Sequence, residues 1–368
     1  MAVSSQRIDD RRVDDQILED DKVPFASLAS LFERAQLRGA QVAELSVLIA
    51  GFRVRVRVVG ATLARTAFAA LHHLPTWTNG TAPDLRIDVW DAAATGIVAP
   101  RPRTRPGYVK PGILLKASRN DRFVGEARDH GELWLDRHES RIVGWFDSPE
   151  RLNLDERARP FHKLLSAWLE QRGVQFVHAG LVACHGNGLL FVGNGGAGKS
   201  TSSIACLRSG MGYLGDDFVG FSSAGGSFVG HGIYGSCLLN VHHIKRFSDL
   251  EAIAHAAHHS FEDKNVVYLR DAFPGAMRSE IEIKALLLPR VVDAQSTRTR
   301  TASKAEALMA IAPTSVMFLP RPSRSAFERV SNLVESMPCF WLELGRDVET
   351  IPTAVRSLVD ELMSQPGG

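Results

Sequence analysis

No stretch of this sequence approaches the roughly 18 consecutive apolar residues that a membrane-spanning helix needs. Cysteine is scarce as well. The four present (Cys184, Cys206, Cys237 and Cys339) are scattered without C-x-x-C spacing, so they read as small buried hydrophobes in a reducing compartment. An excess charge of one sign is also missing: 43 Lys and Arg against 41 Asp and Glu leave a net +2. That balance argues against nucleic acid and anionic membranes as partners. No G-x-S-x-G elbow is present, which removes the common hydrolase reading, and no internal repeat is detectable. The first residues are acidic and polar rather than built like a signal peptide. With 45% apolar and 23% charged residues, the expectation is an ordinary globular protein of the cytoplasm.

What is present is glycine, and it is concentrated where it matters. Gly193-Asn194-Gly195-Gly196-Ala197-Gly198-Lys199-Ser200-Thr201 reads G-x-x-x-x-G-K-[ST], a phosphate-binding loop. Its context fits. Gly188 to Val192 is a short apolar run suited to a buried strand. Lys199 to Arg208 carries Ile204, Ala205 and Leu207, and Gly210 and Gly212 supply helix-stop chemistry. Glycines let consecutive N–H groups converge on one anion at the positive end of the following helix. Lys199 then reaches the β- and γ-phosphates, and the Ser200 hydroxyl a magnesium ion. The plain alternative is a glycine-rich turn that happens to carry a lysine; the flanking elements weigh against it.

At 368 residues the chain suits two domains. Residues 1–41 read as a charged tail followed by a helix from Pro24 to about Leu37. Residues 42–150 read as an α+β domain. In it Phe52 to Val58 alternates strictly, with arginines on one face, read as a half-exposed strand with a solvated basic face rather than an anion site. Ala64 to Leu71 reads as helix, Leu85 to Trp90 as strand, Pro100 to Pro111 as an exposed loop, and Gly131 to Phe146 as a hairpin. Residues 156–364 read as a second domain. It opens on a helix from Pro160 to Arg172 and continues with a strand from Phe176 to Cys184. After the phosphate-loop helix come Tyr213 to Phe221, a strand at Ala285 to Leu288, a helix near Phe327 to Met337, a strand at Cys339 to Leu344 and a final helix near Ile351 to Met363.

Three motifs stand in register: Val177-His178-Ala179-Gly180, the phosphate loop, and Asp216-Asp217. The gaps are 21 residues from His178 to Lys199 and 17 from Lys199 to Asp216. Over about these 40 residues, and more weakly from about Glu156 to Arg346, the chain resembles the HPr kinase/phosphorylase family. The nearest likeness is to its stand-alone bacterial serine kinases, some of which phosphorylate ribosomal peptides. The resemblance implies an α/β fold: a C-terminal P-loop kinase domain of the HPr kinase and phosphoenolpyruvate carboxykinase type, preceded by a smaller α+β domain. It implies ATP and Mg²⁺ as cofactors, with ATP cradled by Gly193 through Thr201. Lys199, His178, Asp216 and Asp217 would be catalytic, and Ser200 and Asp217 would face the metal. One of the adjacent aspartates would accept the proton of an attacking hydroxyl; the resemblance leans to Asp216, and the residues alone leave the two roles open. The acceptor would be an unidentified Ser or Thr hydroxyl of a protein or peptide. HPr kinases assemble as hexamers, so a homo-oligomer is open.

Two departures change the expectation. Gly195 stands where the family commonly has Ser. Nothing after Asp217 matches the family's E-[IV]-R-G-x-G signature, the nearest glycine-rich text being Gly230 to Gly235, which argues against HPr as acceptor and against phosphorylase activity. Lys264 and Arg270 are weaker candidates for a second cationic contact. His242-His243, His255 and His258-His259 invite a zinc reading, with His255 and His259 four apart on an expected helix, but no third ligand completes it; surface histidines are the simpler reading. Two other functions stay open: a nucleotide-binding regulator without phosphotransfer, and a kinase of a small metabolite. A carboxykinase would need further ligands that the sequence does not place.

Overall fold

The computed structural model describes residues 17–18, 24–38, 41–78, 80–100, 113–117, 122–240, 247, 250, 254–256, 264–315 and 323–364. Most of the expected Pro100 to Pro111 loop, and His242, His243, His258 and His259, lie outside them. The architecture is mixed α/β, built on three sheets.

The first sheet has eight strands. Its centre is the parallel trio Phe52–Val59, Leu85–Asp91 and Arg141–Phe146, with Val42–Ile49 on one side and the Gly131–Asp136 and Phe123–Arg128 meander on the other. Ile17–Leu18, expected within the charged tail, instead pairs with Ile113–Ala117 at the far edge. The helix Phe25–Gln36 buries Phe25, Leu28, Phe32 and Ala35 against Trp90, Trp134 and Trp145. The same face carries the arginines of Phe52–Val59, and this corrects the expectation of a solvated basic face. Arg53 pairs with Asp84 (2.9 Å), Arg55 with Glu44 (3.3 Å) and Arg57 with Asp88 (2.7 Å). Asp88 is fully buried and is also held by Arg141 at 2.7 Å. The reason is cross-strand register: Arg57 stands opposite Asp88 in parallel pairing, a relation 31 residues apart with no local signature.

The other face of this sheet packs on Ala61–Ala69 and on His162–Glu170. Val54, Val56, Val58, Ile87 and Val89 share one apolar cluster with Leu164, Leu165, Trp168 and Phe176. One core therefore runs across the joint near residues 150–156. Burying such side chains contributes about 1.5–3 kcal/mol each, so the first sheet and the helix His162–Glu170 stabilise one another.

The second sheet runs Gly212–Gly215, Ala179–Cys184, Asn187–Val192, Glu280–Val291, Ser227–His231, Val219–Ala224 and Gln175–Val177, with Cys339–Leu344 and Arg298–Thr301 branching from Glu280–Val291. Glu280–Val291 serves two neighbours in turn. Its start pairs antiparallel with Ser227–His231, and its later part runs parallel to Asn187–Val192 and Cys339–Leu344. Lys199–Arg208 and Thr350–Ser364 cover one face, Lys304–Ser315 and Arg324–Ser336 the other. The helix Lys304–Ser315 has no sequence expectation. Its Ala-Leu-Met-Ala-Ile-Ala run gives good helix propensity but little 3.6-residue contrast.

Phe176 to Cys184, expected as one strand, is two. Gln175–Val177 pairs with Val219–Ala224, whereas Ala179–Cys184 pairs with Asn187–Val192 and Gly212–Gly215. The chain changes partners at His178. Tyr213 to Phe221 is likewise divided, with Asp216, Asp217 and Phe218 between the strands Gly212–Gly215 and Val219–Ala224. A third sheet orders Ser236–Asn240, Lys264–Tyr268 and Ala254–Ala256. His255 therefore sits on a strand, which corrects its expected helical placement.

Candidate functional site

The phosphate-binding sequence forms the turn between the buried strand Asn187–Val192 and the helix Lys199–Arg208. Gly193, Gly196 and Gly198 have φ of +156°, +81° and +108°, which glycine adopts at little cost. At Gly198 space is lacking too: a Cβ would sit 2.3 Å from Leu344 Cδ1. Gly195, the departure from the family pattern, has no such constraint, because a Cβ there meets nothing within 4 Å. We therefore expect Gly195→Ala to leave the fold intact and Gly198→Ala to lower stability by about 1–3 kcal/mol. Urea denaturation of the two variants side by side measures this, and equal midpoints would refute the geometric argument.

Lys199 is 6% exposed, and its ammonium donates to the carbonyls of Gly193 (2.8 Å) and Asn194 (3.3 Å). Burial pulls its pKa down while Asp216 acts to hold it up. Asp216 follows Gly212–Gly215 and turns inward, 3% exposed. Burial lifts its carboxyl to about 6, against the opposing pull of Ser200, Lys199, Arg159 and Ser203. Its Oδ1 has no hydrogen-bond partner, and neither has the buried Ser203 hydroxyl.

Asp217 points elsewhere. Its Oδ1 lies 2.7 Å from His178 Nε2, and its Oδ2 accepts from Arg159. Burial, then Lys199, Arg159 and Lys264, pull the His178 pKa to about 4. With its pKa lowered, the ring is neutral at pH 7 and donates Nε2–H to the Asp217 carboxylate. The His178 N–H bonds Ser315 Oγ at 3.1 Å. Phe218 completes the clamp: its ring lies 5.2 Å from that of His178 and 4.2 Å from that of His162, with the Arg159 guanidinium 5.0 Å above it.

Arg159 is the residue that sequence reasoning missed. It follows the short helix Leu154–Ala158, which starts on an Asn153–Glu156 capping box. Glu156 is bound in turn by His130 (2.8 Å) and Arg128 (2.9 Å) of the first sheet, and Arg159 also bonds Asp155. The first sheet thus reaches Asp217 through one helix. No local pattern marks an arginine 58 residues before its partner.

His178, Lys199 and Asp217 share a cleft of about 610 Å³, whereas Arg159, Asp216 and Phe218 line a smaller pocket that has Asp217 in common with it. Ser200, Thr201 and Lys264 line the cleft as well, together with Val291, Val292, Leu344, Arg346, Val348 and Ile351. A cleft with both cationic and apolar lining suits a nucleotide, its phosphates against the glycine loop. Lys264 is brought in; Arg270 lies exposed on Leu269–Ala272 and does not line it. Among the described residues no group of three His, Cys, Asp or Glu is placed to hold a metal. No helix among them is long and apolar enough to cross a membrane.

No family model matches the chain, and no curated protein does. Among solved structures it is similar to an HPr(Ser) kinase/phosphatase from Coxiella burnetii, with 13% identity and a TM-score of 0.29, over 51% of this chain and 95% of that one.

Proposed function

We propose that this protein is an ATP- and Mg²⁺-dependent kinase that transfers the γ-phosphoryl group to a hydroxyl, that of a Ser or Thr of a protein or peptide. The reading includes a P-loop domain of the HPr kinase type and a cytoplasmic setting, in keeping with four free, buried cysteines. One observation carries it: the phosphate loop with Lys199 and the Asp217–His178 pair, which Arg159 holds from behind, line the same cleft. A nucleotide sensor needs only the first of these.

The residues fit a magnesium ion. Ser200 and Asp216 offer hard oxygens, and the buried, unpartnered Asp216 Oδ1 is the kind of acceptor a cation satisfies. Bound there, the ion would neutralise phosphate charge. This favours Asp216 as the metal-side carboxylate and Asp217 as the proton acceptor, the reverse of the roles to which the resemblance leans. As the acceptor oxygen bonds to the γ-phosphorus, the bond to the ADP oxygen breaks and the hydroxyl proton passes to Asp217. Arg159 pairs with Asp217 and holds it beside His178. A loose transition state asks for little basicity until the leaving bond is nearly broken. His178, neutral, donates to Asp217 and fixes its orientation.

The test is transfer of label from γ-labelled ATP to the products of neighbouring genes, short precursor peptides first, with the Lys199→Ala protein as control. Label on a Ser or Thr hydroxyl, absent with the control, is the expected result. Tight nucleotide binding with no labelled product on any of them would overturn the kinase reading in favour of a switch.

A further inference from the structure

On the opposite face of the second sheet from the helix Thr350–Ser364 lies a second opening, a groove of about 350 Å³ separate from the cleft lined by Lys199 and Asp217. Its floor is Leu288 and Trp341, side by side on neighbouring strands. Its wall is the helix Lys304–Ser315, with Met309 76% exposed. Its inner end is the start of the phosphate loop, at Gly193 and Asn194.

The register carries the groove on to a basic margin. Trp341 stands opposite Arg300, and the next row on the same face is Arg290, Glu343 and Arg298. Glu343, 4% exposed, binds Arg290 and Arg298, with Arg300 at 3.7 Å. One carboxylate thus faces three guanidinium groups whose side chains remain 41%, 73% and 54% exposed. The Arg290 guanidinium also lies 4.5 Å over the Trp341 ring. Arg298–Thr301 is an edge strand: it pairs with Cys339–Leu344 on one side and, among the described residues, with no strand on the other.

We propose that this groove is a docking site for an extended peptide segment that carries an apolar anchor beside acidic residues. The anchor seats on Leu288, Trp341 and Met309, and the carboxylates answer the net positive charge of Arg290, Arg298 and Arg300 that remains beyond Glu343 and beyond Glu306, which lines the groove, bonds Trp341 and is drawn toward Arg300. Arginines also guard an exposed edge against unwanted strand pairing, but guarding requires no apolar groove beside them. A nucleic acid would satisfy the charges and leave both the anchor groove and the strand's outward N–H and C=O groups unmet. The site abuts the phosphate loop at Gly193, Asn194 and Ala197 and shares no lining residue with the cleft of Lys199 and Asp217.

The test is binding without nucleotide, so its failure is distinct from failure of the kinase reading. The full-length protein is panned against a randomised short-peptide library, and a dye-labelled selected peptide is then titrated by fluorescence anisotropy. Selected sequences should combine Asp or Glu with a large apolar residue. Affinity should fall roughly tenfold or more for the exposed-site variant Met309→Ser and for Arg300→Ser, and should weaken with salt. Far-ultraviolet circular dichroism and thermal midpoints establish that both variants are folded. No selected peptide, sequences without acidic residues, undiminished binding by both variants, or preference for a single-stranded oligonucleotide over the selected peptide would each overturn the proposal.

Discussion

Replacing Lys199 by Ala is expected to cut single-turnover phosphoryl transfer by roughly 10²–10³-fold or more, the scale of losing one preorganised charge contact in a transition state. The ammonium is 6% exposed and held by two loop carbonyls, so little reorganisation is needed to place it against developing negative charge. The substitution should act a second time through its neighbour. Lys199 is one of the groups that oppose the upward shift of Asp216, so its loss raises that carboxyl further and moves the acid limb of kcat/KM to higher pH. A structural role alone would change stability and leave the limb in place. A Lys199→Ala protein transferring label at the wild-type rate would remove the kinase assignment.

Asp216→Asn is expected to stabilise the protein at pH 7 while abolishing transfer. The Asp216 carboxyl lies at about 6 in the folded chain against an ordinary 3.8. Between those values the folded state binds the proton more tightly, so stability falls as pH rises from about 4 to about 6 and stays lower above. A shift of about two units corresponds to about 3 kcal/mol, an upper figure. Asn keeps the shape and removes the buried charge. The variant should melt a few degrees higher at pH 7 and at nearly the same temperature as wild type at pH 4, which thermal scans across pH measure. It should also lose the Mg²⁺-dependent part of its stabilisation by ATP. A variant less stable than wild type at pH 7, or one that still transfers phosphate, would contradict the account. A chain that keeps a destabilising carboxylate does so where function requires it.

The signals legible along the chain were those of short range. The expected strand–loop–helix at Gly188 to Arg208 is present, as are the hairpin Gly131–Asp136 to Arg141–Phe146, the strand Cys339–Leu344 and the helix Phe25–Gln36. Each is encoded by periodicity or turn chemistry within a few residues. The break at His178 was not legible, because an apolar run reads the same whether it serves one sheet partner or two. The helix Lys304–Ser315 was hidden by its uniform apolarity, and the arginine face of Phe52–Val59 by the distance to its carboxylates.

Sequence alone determined that the chain carries a glycine loop with a lysine and a serine at its helix start, and which polar residues stand at fixed distances from it. It could not assign those residues to neighbours. Only the tertiary structure decided that Asp216 turns inward toward Ser200 and Lys199 while Asp217 turns toward His178 and Arg159. The two neighbouring aspartates sit in the bend between two strands and meet two environments, and which is which depends on what the fold packs on each side. Arg159 illustrates the same physics. Its place is set by a helix cap and by a buried glutamate bound to the first sheet, contacts that exist only once distant segments have met.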